Sequence, residues 1–418
     1  MIHNSHINAS ANVRTLVASP RNVELHVFNC LLYEFEDVLR EIEEVDLLCP
    51  QSSFENDLAY LILSRVYRNT LNYTAGIGST LNPLLKQIRC DKKYQLFFTS
   101  LRPYQLLFLN SVRDWRKNCE VAVCFIEELW PNENEACSHL LKILRNFDHV
   151  FVGFHSSVEL LSNLIKLPCH YLPVGVDALS FCPYPQDRPR VIDLYSIGRR
   201  PERMHKALLK KVQEDDFVYI YDTLGPLGRL YTADCKGHRC FVASLAKRSR
   251  YFMVNRPKFD VKSNVEGQKE IGENVLGSRF LEGGAAGAVM IGVPPIGAGF
   301  KQHMDWLDAV ISVPLDGNIV EIITELDTQP ERLAKIRRDN VFNCLMRHDW
   351  VYRWEVILEK IGLTPKSQVD LRKGRLKDMA KLYSGSFVNA GVKPEIRDEK
   401  TCDASTSAAR PRIGPSSN

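Results

Sequence analysis

Apolar runs alternate with helix-period segments along most of this chain. Residues 94–100 (YQLFFTS) predict a buried strand, and 104–115 an amphipathic helix. Residues 121–126 (VAVCFI) predict a second strand, followed by a helix near 137–146 carrying Leu140, Leu141 and Leu144. A third strand is expected at 149–154 (HVFVGF), then a serine-capped helix at 156–165 and a fourth strand at 170–174. Continuous apolar strands separated by helices indicate a parallel sheet covered on both faces.

The pattern then restarts. Gly175, Val176, Asp177 and the proline-rich stretch 181–190 (FCPYPQDRPR) predict a linker. Strands follow at 191–197, 217–221, 251–255 and 288–291, with helices at 203–212, 240–248 and 282–287. A last helix is predicted at 349–361, rich in apolar side chains from Trp350 to Leu358. The reading is an α/β protein of two Rossmann-like, doubly wound parallel-sheet domains facing across a cleft. Residues 1–175 form the first domain, 176–365 the second, and 366–418 a basic helix with a disordered tail.

The first ninety residues predict strands at 23–28 and 45–48 with a helix at 31–42 between them. The acidic run 34–44 on that helix is expected to be a solvated face. Residues 369–383 form a basic helix with Leu376, Met379 and Leu382 on one side, suited to docking on a lobe or to peripheral membrane contact. From 386 onward few large apolar residues remain, as in disordered tails.

Composition narrows the class. A hydrophobic share of 45% and a charged share of 25% fit a globular chain, and 418 residues suit two domains. No stretch reaches the length of a membrane span, and no secretory signal is visible, so a cytoplasmic location is expected. The formal charge of +4 suits a phosphate-bearing small ligand but not nucleic acid. The 12 cysteines are scattered without a CxxC, which reads as buried free thiols rather than a disulfide scaffold or zinc site.

Two segments carry candidate chemistry. The first is 279–292 (RFLEGGAAGAVMIG), where Glu282 precedes Gly283 and Gly284 at an expected loop-to-helix transition. A helix N-terminus there would receive a diphosphate, the glycines would admit it closely, and the carboxylate would accept ribose hydroxyls. A small-residue helix packed on a sheet explains the same residues. The second is Gly198-Arg199-Arg200 after the first strand of the second lobe, with Lys206 on the next helix. Arginines at that turn fork onto phosphate oxygens; a solvated basic cap is the alternative.

With Gly175-Val176-Asp177, these segments resemble glycosyltransferases of the bilobed B-type fold, most closely the bacterial glycosyltransferase family 1 and spore-maturation-type proteins. Residues 249–260 (SRYFMVNRPKFD) and 348–358 (HDWVYRWEVIL) resemble segments of the same group. The resemblance implies a nucleotide-diphospho-sugar donor held by the second lobe and an acceptor (glycan, lipid or protein) approached from the first. It implies that Glu282 contacts the donor ribose and that Arg199 steadies the diphosphate, helped by Arg200 or Arg279. Asn274, beside Glu273, stands where many relatives carry a second glutamate. The last helix is expected to cross back onto the first lobe.

On the acceptor side, Glu127 and Glu128 end the strand VAVCFI and His155 ends HVFVGF. Each is placed to act as a general base; helix-capping charges and a polar loop residue are the alternatives. No serine elbow, HExxH helix or GxGxxG is present. The expected activity is metal-independent sugar transfer without a cofactor. An epimerase on the same scaffold and a catalytically silent nucleotide-binding protein are the alternatives.

Overall fold

The computed structural model describes residues 13–54, 63, 66, 84–131, 137–186, 188–222, 230–257 and 272–386. The first sheet has strands β1 (Thr15–Ala18), β2 (Val45–Leu48), β3 (Tyr94–Leu101), β4 (Cys119–Ile126), β5 (His149–Val152) and β6 (Cys169–Tyr171). Their order is β2-β1-β3-β4-β5-β6, and every pairing is parallel. Alternate residues of its long strands enter two different cores. Leu96, Phe98, Val123 and Phe125 pack on one face, while Phe97, Ala122, Cys124 and Ile126 pack on the other. Burial on both faces is why these strands read as continuous apolar runs.

The second sheet contains β7 (Ile192–Ser196), β8 (Tyr219–Tyr221), β9 (Ser249–Asn255), β10 (Val289–Val293) and β11 (Ile311–Ser312). Its order is β8-β7-β9-β10-β11, again wholly parallel. Tyr195, Phe252 and Met290 face one core and Leu194, Tyr251 and Met253 the other. The chain is therefore an α/β protein of two doubly wound parallel sheets. Strand order reverses between β1 and β3 in one and between β7 and β9 in the other.

The helices that position the site are α1 (Cys30–Ile42), α2 (His155–Ile165), α3 (Glu202–Glu214), α4 (Cys235–Lys247), α5 (Ser278–Ala285), α6 (Pro330–Arg347), α7 (Trp350–Ile361) and α8 (Ser367–Ser386). Asp349 caps α7, accepting a 2.9 Å hydrogen bond from the Val351 amide, and Gly362 ends it at φ 72°. Helix α7 packs against α1 and β3. Trp350 stacks on Phe35 of α1 at 4.4 Å between ring centroids, and Trp354 meets Phe98 edge-on at 5.4 Å.

Helix α8 packs through Val369, Leu376, Ala380 and Tyr383, leaving Leu371 and Leu382 exposed. Its Arg372 bonds both carboxylate oxygens of Asp349 at 2.8 Å, Asp177 at 2.6 Å and Glu41 at 2.8 Å. Docking thus accounts for this helix, on a face that excludes Leu382. Among the described residues no helix is long and apolar enough to cross a membrane.

Four local expectations fail. Residues 104–115 hold a 3-10 run (Pro103–Ser111) instead of an amphipathic helix, because Leu106, Leu107, Phe108 and Leu109 are all buried and no polar face exists. The first strand is Thr15–Ala18; the segment 23–28 runs irregularly into a 3-10 turn (Val27–Asn29), and its His26 bridges to Tyr231 of the second lobe. The predicted 156–165 helix starts at His155, and Ser157 does not cap it but donates to the Leu129 carbonyl. Finally, the acidic run is solvated only in part, at Glu41 and Glu44. Glu34, Glu36 and Glu43 are buried and paired with Arg239, Arg21 and Arg14 at 2.6, 2.8 and 2.6 Å. The predicted tail lies, from residue 387 on, outside the described residues.

Candidate active site

In doubly wound sheets the ligand crevice lies outside the carboxyl ends of the strands where their order reverses. In the second lobe that point is occupied by the turn after β7. Gly198 adopts φ +87°, a conformation that favours glycine, and its amide donates to both carboxylate oxygens of Asp222 at 3.0 and 2.9 Å. Arg200 folds back, donating to Asp222 Oδ1 at 2.9 Å and to its backbone carbonyl at 2.7 Å, with its guanidinium 4.8 Å from the Tyr221 ring centroid. This anchoring leaves Arg199 on the wall of a cleft cavity of about 170 Å³.

The cavity joins the two lobes. Gly198, Arg199, Asn255, Arg256 and Arg279 line it from the second lobe, and Glu128 and Trp130 from the first. Three arginines and one glutamate thus share its wall. Arg256 is held by Glu273, and Arg279 by Glu282 at 2.5 Å. A guanidinium has five N–H donors, so one carboxylate contact does not exhaust it for phosphate.

Across the cavity, Arg102 follows β3 and bridges the two glutamates that follow β4. It contacts Glu127 Oε2 at 2.6 Å and Glu128 Oε2, while Glu128 Oε1 accepts a 2.8 Å hydrogen bond from Trp130 Nε1. Burial pushes Glu127 up to about 7 against the pull of Arg102. Burial also opposes charge on Glu128, but Arg102, the Trp130 hydrogen bond and Arg199 together hold its carboxyl below the usual value. Environments that separate two neighbouring carboxyls in this way mark acid–base sites.

The Glu127 shift has a pH consequence. A carboxyl whose folded pKa exceeds its unfolded value of about 4.3 contributes stability below that value and loses it as pH rises through the folded pKa. Between about pH 4.3 and 7, the contribution of Glu127 to stability should therefore fall, and that of buried Glu36, also pushed up to about 7, should fall with it. Glu127→Gln should flatten the slope, as read from urea midpoints across that range. An unchanged slope would show that Glu127 is ionised throughout.

His155 is not brought to this cavity. It is the exposed first residue of α2, with its ring 5.5 Å from that of Tyr171. Lys206, on α3, is likewise not among the lining residues; it is solvated and pairs with Glu202 one turn away at 3.1 Å.

The Glu282 segment departs further from expectation. Helix α5 begins at Ser278, so Glu282 and both glycines lie within the helix, not at its opening. Glu282 is completely buried, with Oε1 on Arg239 Nη1 and Oε2 on Arg279 Nη1. Burial opposes its charge, yet the two guanidinium groups hold it down to about 2. Each oxygen already accepts from a guanidinium and the side chain is closed off from solvent, so in this arrangement Glu282 positions Arg279.

Close packing explains the glycines. A Cβ on Gly283 would lie 2.9 Å from Phe252 Cδ1, and one on Gly284 would lie 2.7 Å from Cys344 Sγ. Gly284→Ala should cost about 1–3 kcal/mol through overpacking. Urea denaturation checks the loss, and nucleotide affinity measured on the folded variant should match wild type. A stable variant with lost affinity would restore a ligand role.

Four site residues were missed: Arg102, Trp130, Asn255 and Arg256. Arg102 immediately follows β3, and Asn255 ends β9 with Arg256 directly after it, the same positional signal that singled out Arg199. Glu34 and Arg239 were missed as well. Their side chains meet at 2.6 Å across 205 positions of sequence, which no local pattern reveals.

No family model matches the chain, and no curated protein matches it. Solved structures align over most of it. The Anabaena HepE complex with UDP and glucose is 10% identical over 84% of this chain and 99% of that one, with a TM-score of 0.48. An α,α-trehalose-phosphate synthase (UDP-forming) from Burkholderia vietnamiensis is 12% identical, over 86% and 99%, with a TM-score of 0.45. An α-glucosyltransferase in complex with UDP-glucose and DNA containing an abasic site is 11% identical, over 84% and 99%, with a TM-score of 0.47. Likeness this distant does not assign an activity, so what the chain does is read from its own cleft.

Proposed function

We propose that this protein transfers a sugar from a nucleotide-diphospho-sugar to an acceptor hydroxyl. The observation that carries the reading is the cavity at the β7/β9 reversal, where Arg199, Arg256 and Arg279 share the wall with Glu128 and Trp130 of the other lobe. The guanidinium groups grip the diphosphate and offset the charge that grows on the leaving nucleoside diphosphate. That positive charge stands where a divalent metal would otherwise be needed, so transfer proceeds without one.

Glu128, kept ionised by Arg102, accepts a hydrogen bond from the attacking hydroxyl. As the new bond to the anomeric carbon forms, it takes the hydroxyl proton. Gly198 and Arg200 shape the donor turn, and Glu282 acts through Arg279. Lobe closure aligns donor and acceptor and excludes water. A cytoplasmic location and a glycan, lipid or protein acceptor belong to the same proposal.

The test is incubation with UDP-, GDP-, ADP- and dTDP-sugars and an acceptor panel, with mass-spectrometric detection. Glycosylated acceptor together with stoichiometric nucleoside diphosphate is the expected result. Conversion of the donor without acceptor would identify an epimerase. Binding without any turnover would identify a silent nucleotide-binding protein.

A further inference from the structure

The end of β9 carries a side chain into the donor cavity that the proposed chemistry leaves unused. Asn255 is the last residue of β9, lies in register with Val293 of β10, and precedes Arg256. Its partly exposed side chain lines the cavity together with Arg199, Arg256 and Arg279.

The two ends of this amide have different surroundings. The Val293 N–H, at the last residue of β10, donates to Asn255 Oδ1 at 3.1 Å. A backbone N–H can bond only the oxygen end of an amide, so this contact fixes which way the group is turned. Gly292, at φ +147°, makes the room for it. A Cβ there would lie 3.1 Å from Asn255 Oδ1 and would run into the Val254 carbonyl. The Nδ2 end then carries two N–H donors, and among the described residues neither reaches an acceptor. Capping Val293 needs only an oxygen, which an aspartate would supply equally well. The fold therefore accounts for the oxygen end of Asn255 and not for the nitrogen end.

The rest of the wall says what that nitrogen meets. On the second-lobe side the arginines offer N–H groups, while Ile197, Met253 and Pro257 offer no oxygen. The single side-chain oxygen there, Asn255 Oδ1, is already engaged by Val293. A sugar hydroxyl both donates and accepts, so its own proton would go unmatched by these side chains. A phosphate oxygen only accepts, and suits a wall made of donors.

We propose that Asn255 donates through Nδ2 to a phosphate oxygen of the nucleotide donor, as the neutral partner of the three arginines. The nature of this ligand rests on the transfer reading. The contact exists with the nucleoside diphosphate alone, before any sugar is attached to it.

Calorimetry with UDP, GDP, ADP and dTDP first identifies the nucleotide that wild type binds. Asn255→Asp keeps an oxygen for Val293 and replaces both donors with a negative oxygen. Its melting temperature should stay close to wild type while its affinity falls about 10–100-fold, as for a lost hydrogen bond to a charged group. Asn255→Leu removes the donors without adding charge and should lose about tenfold in affinity, with some stability lost at the uncapped Val293. The corresponding sugar nucleotide should show the same ratios. In wild type labelled with 15N-asparagine, the side-chain NH2 signals that Asn255→Asp lacks should shift as the nucleotide saturates.

A loss in Asn255→Asp with unchanged affinity in Asn255→Leu would mean that charge repulsion alone acts, and would overturn the proposal. Should Asn255→Leu fail to fold, NH2 signals of Asn255 that stay fixed at saturation would overturn it instead. A loss confined to the sugar-bearing donor would place the amide on a sugar hydroxyl and would also refute it. Absence of binding by wild type to all four nucleotides would count against the transfer reading itself. Binding that wild type and both variants share equally would remove only the role of Asn255.

Discussion

Arg199→Ala should lower kcat about 10²–10³-fold, the usual loss when one donor to transition-state charge is removed. The turn that carries Arg199 is held by other groups. Gly198 sets the backbone through its positive φ and its bonds to Asp222, and Arg200 clamps the same aspartate. Gly198 and Arg200 supply those anchors, so the thermal midpoint should fall far less than activity does. Arg199→Lys should recover only part of the loss, because an ammonium lacks the planar fork that engages two phosphate oxygens. Steady-state kinetics with the donor identified by screening, paired with a thermal melt, checks both halves. Equal losses in activity and melting temperature would mean that Arg199 is structural.

The largest stability effect is expected at Arg239. Its guanidinium is buried 5.0 Å from the Phe181 ring centroid and bonds Glu34 on α1 and Glu282 on α5. It therefore joins the lobes and reaches, through Glu282, the Arg279 that lines the donor cavity. Arg239→Met removes the cation and leaves two buried carboxylates behind. Breaking one partner of such a network costs about 3–5 kcal/mol. Residual donors keep the loss inside that range. Glu34 retains hydrogen bonds from Trp350 Nε1 at 3.0 Å and the Asp177 amide at 2.8 Å, and Glu282 retains Arg279.

Urea unfolding measures this directly. Adding Glu34→Gln to Arg239→Met should recover part of the loss, because one uncompensated charge disappears. Strictly additive losses in the double variant would show that the two residues do not act as a pair.

What could be read ahead of the structure follows the range of each interaction. Both sheets were legible because burial on two faces removes polar positions from strands such as 94–101 and 121–126. The α1 face was misread for the opposite reason. Its glutamates are spaced like a solvated surface, and their partners Arg14, Arg21 and Arg239 come from elsewhere in the chain. The Gly198-Arg199-Arg200 turn was found because it follows a strand directly. Which of its two arginines faces the cleft was not readable, since that depends on Asp222 at the end of the neighbouring strand. Glu282 was noticed for its glycines, but they serve packing against Phe252 and Cys344, and its charge serves two arginines.

The central claim is that the β7/β9 crevice binds the diphosphate of a nucleotide donor through Arg199. Calorimetric titration of UDP, GDP, ADP and dTDP into wild type and Arg199→Ala tests it most directly. One nucleotide should bind wild type saturably, and its affinity should fall at least about tenfold, some 1.4 kcal/mol, in the variant. Absence of binding by all four, or equal affinity in both proteins, would contradict the account.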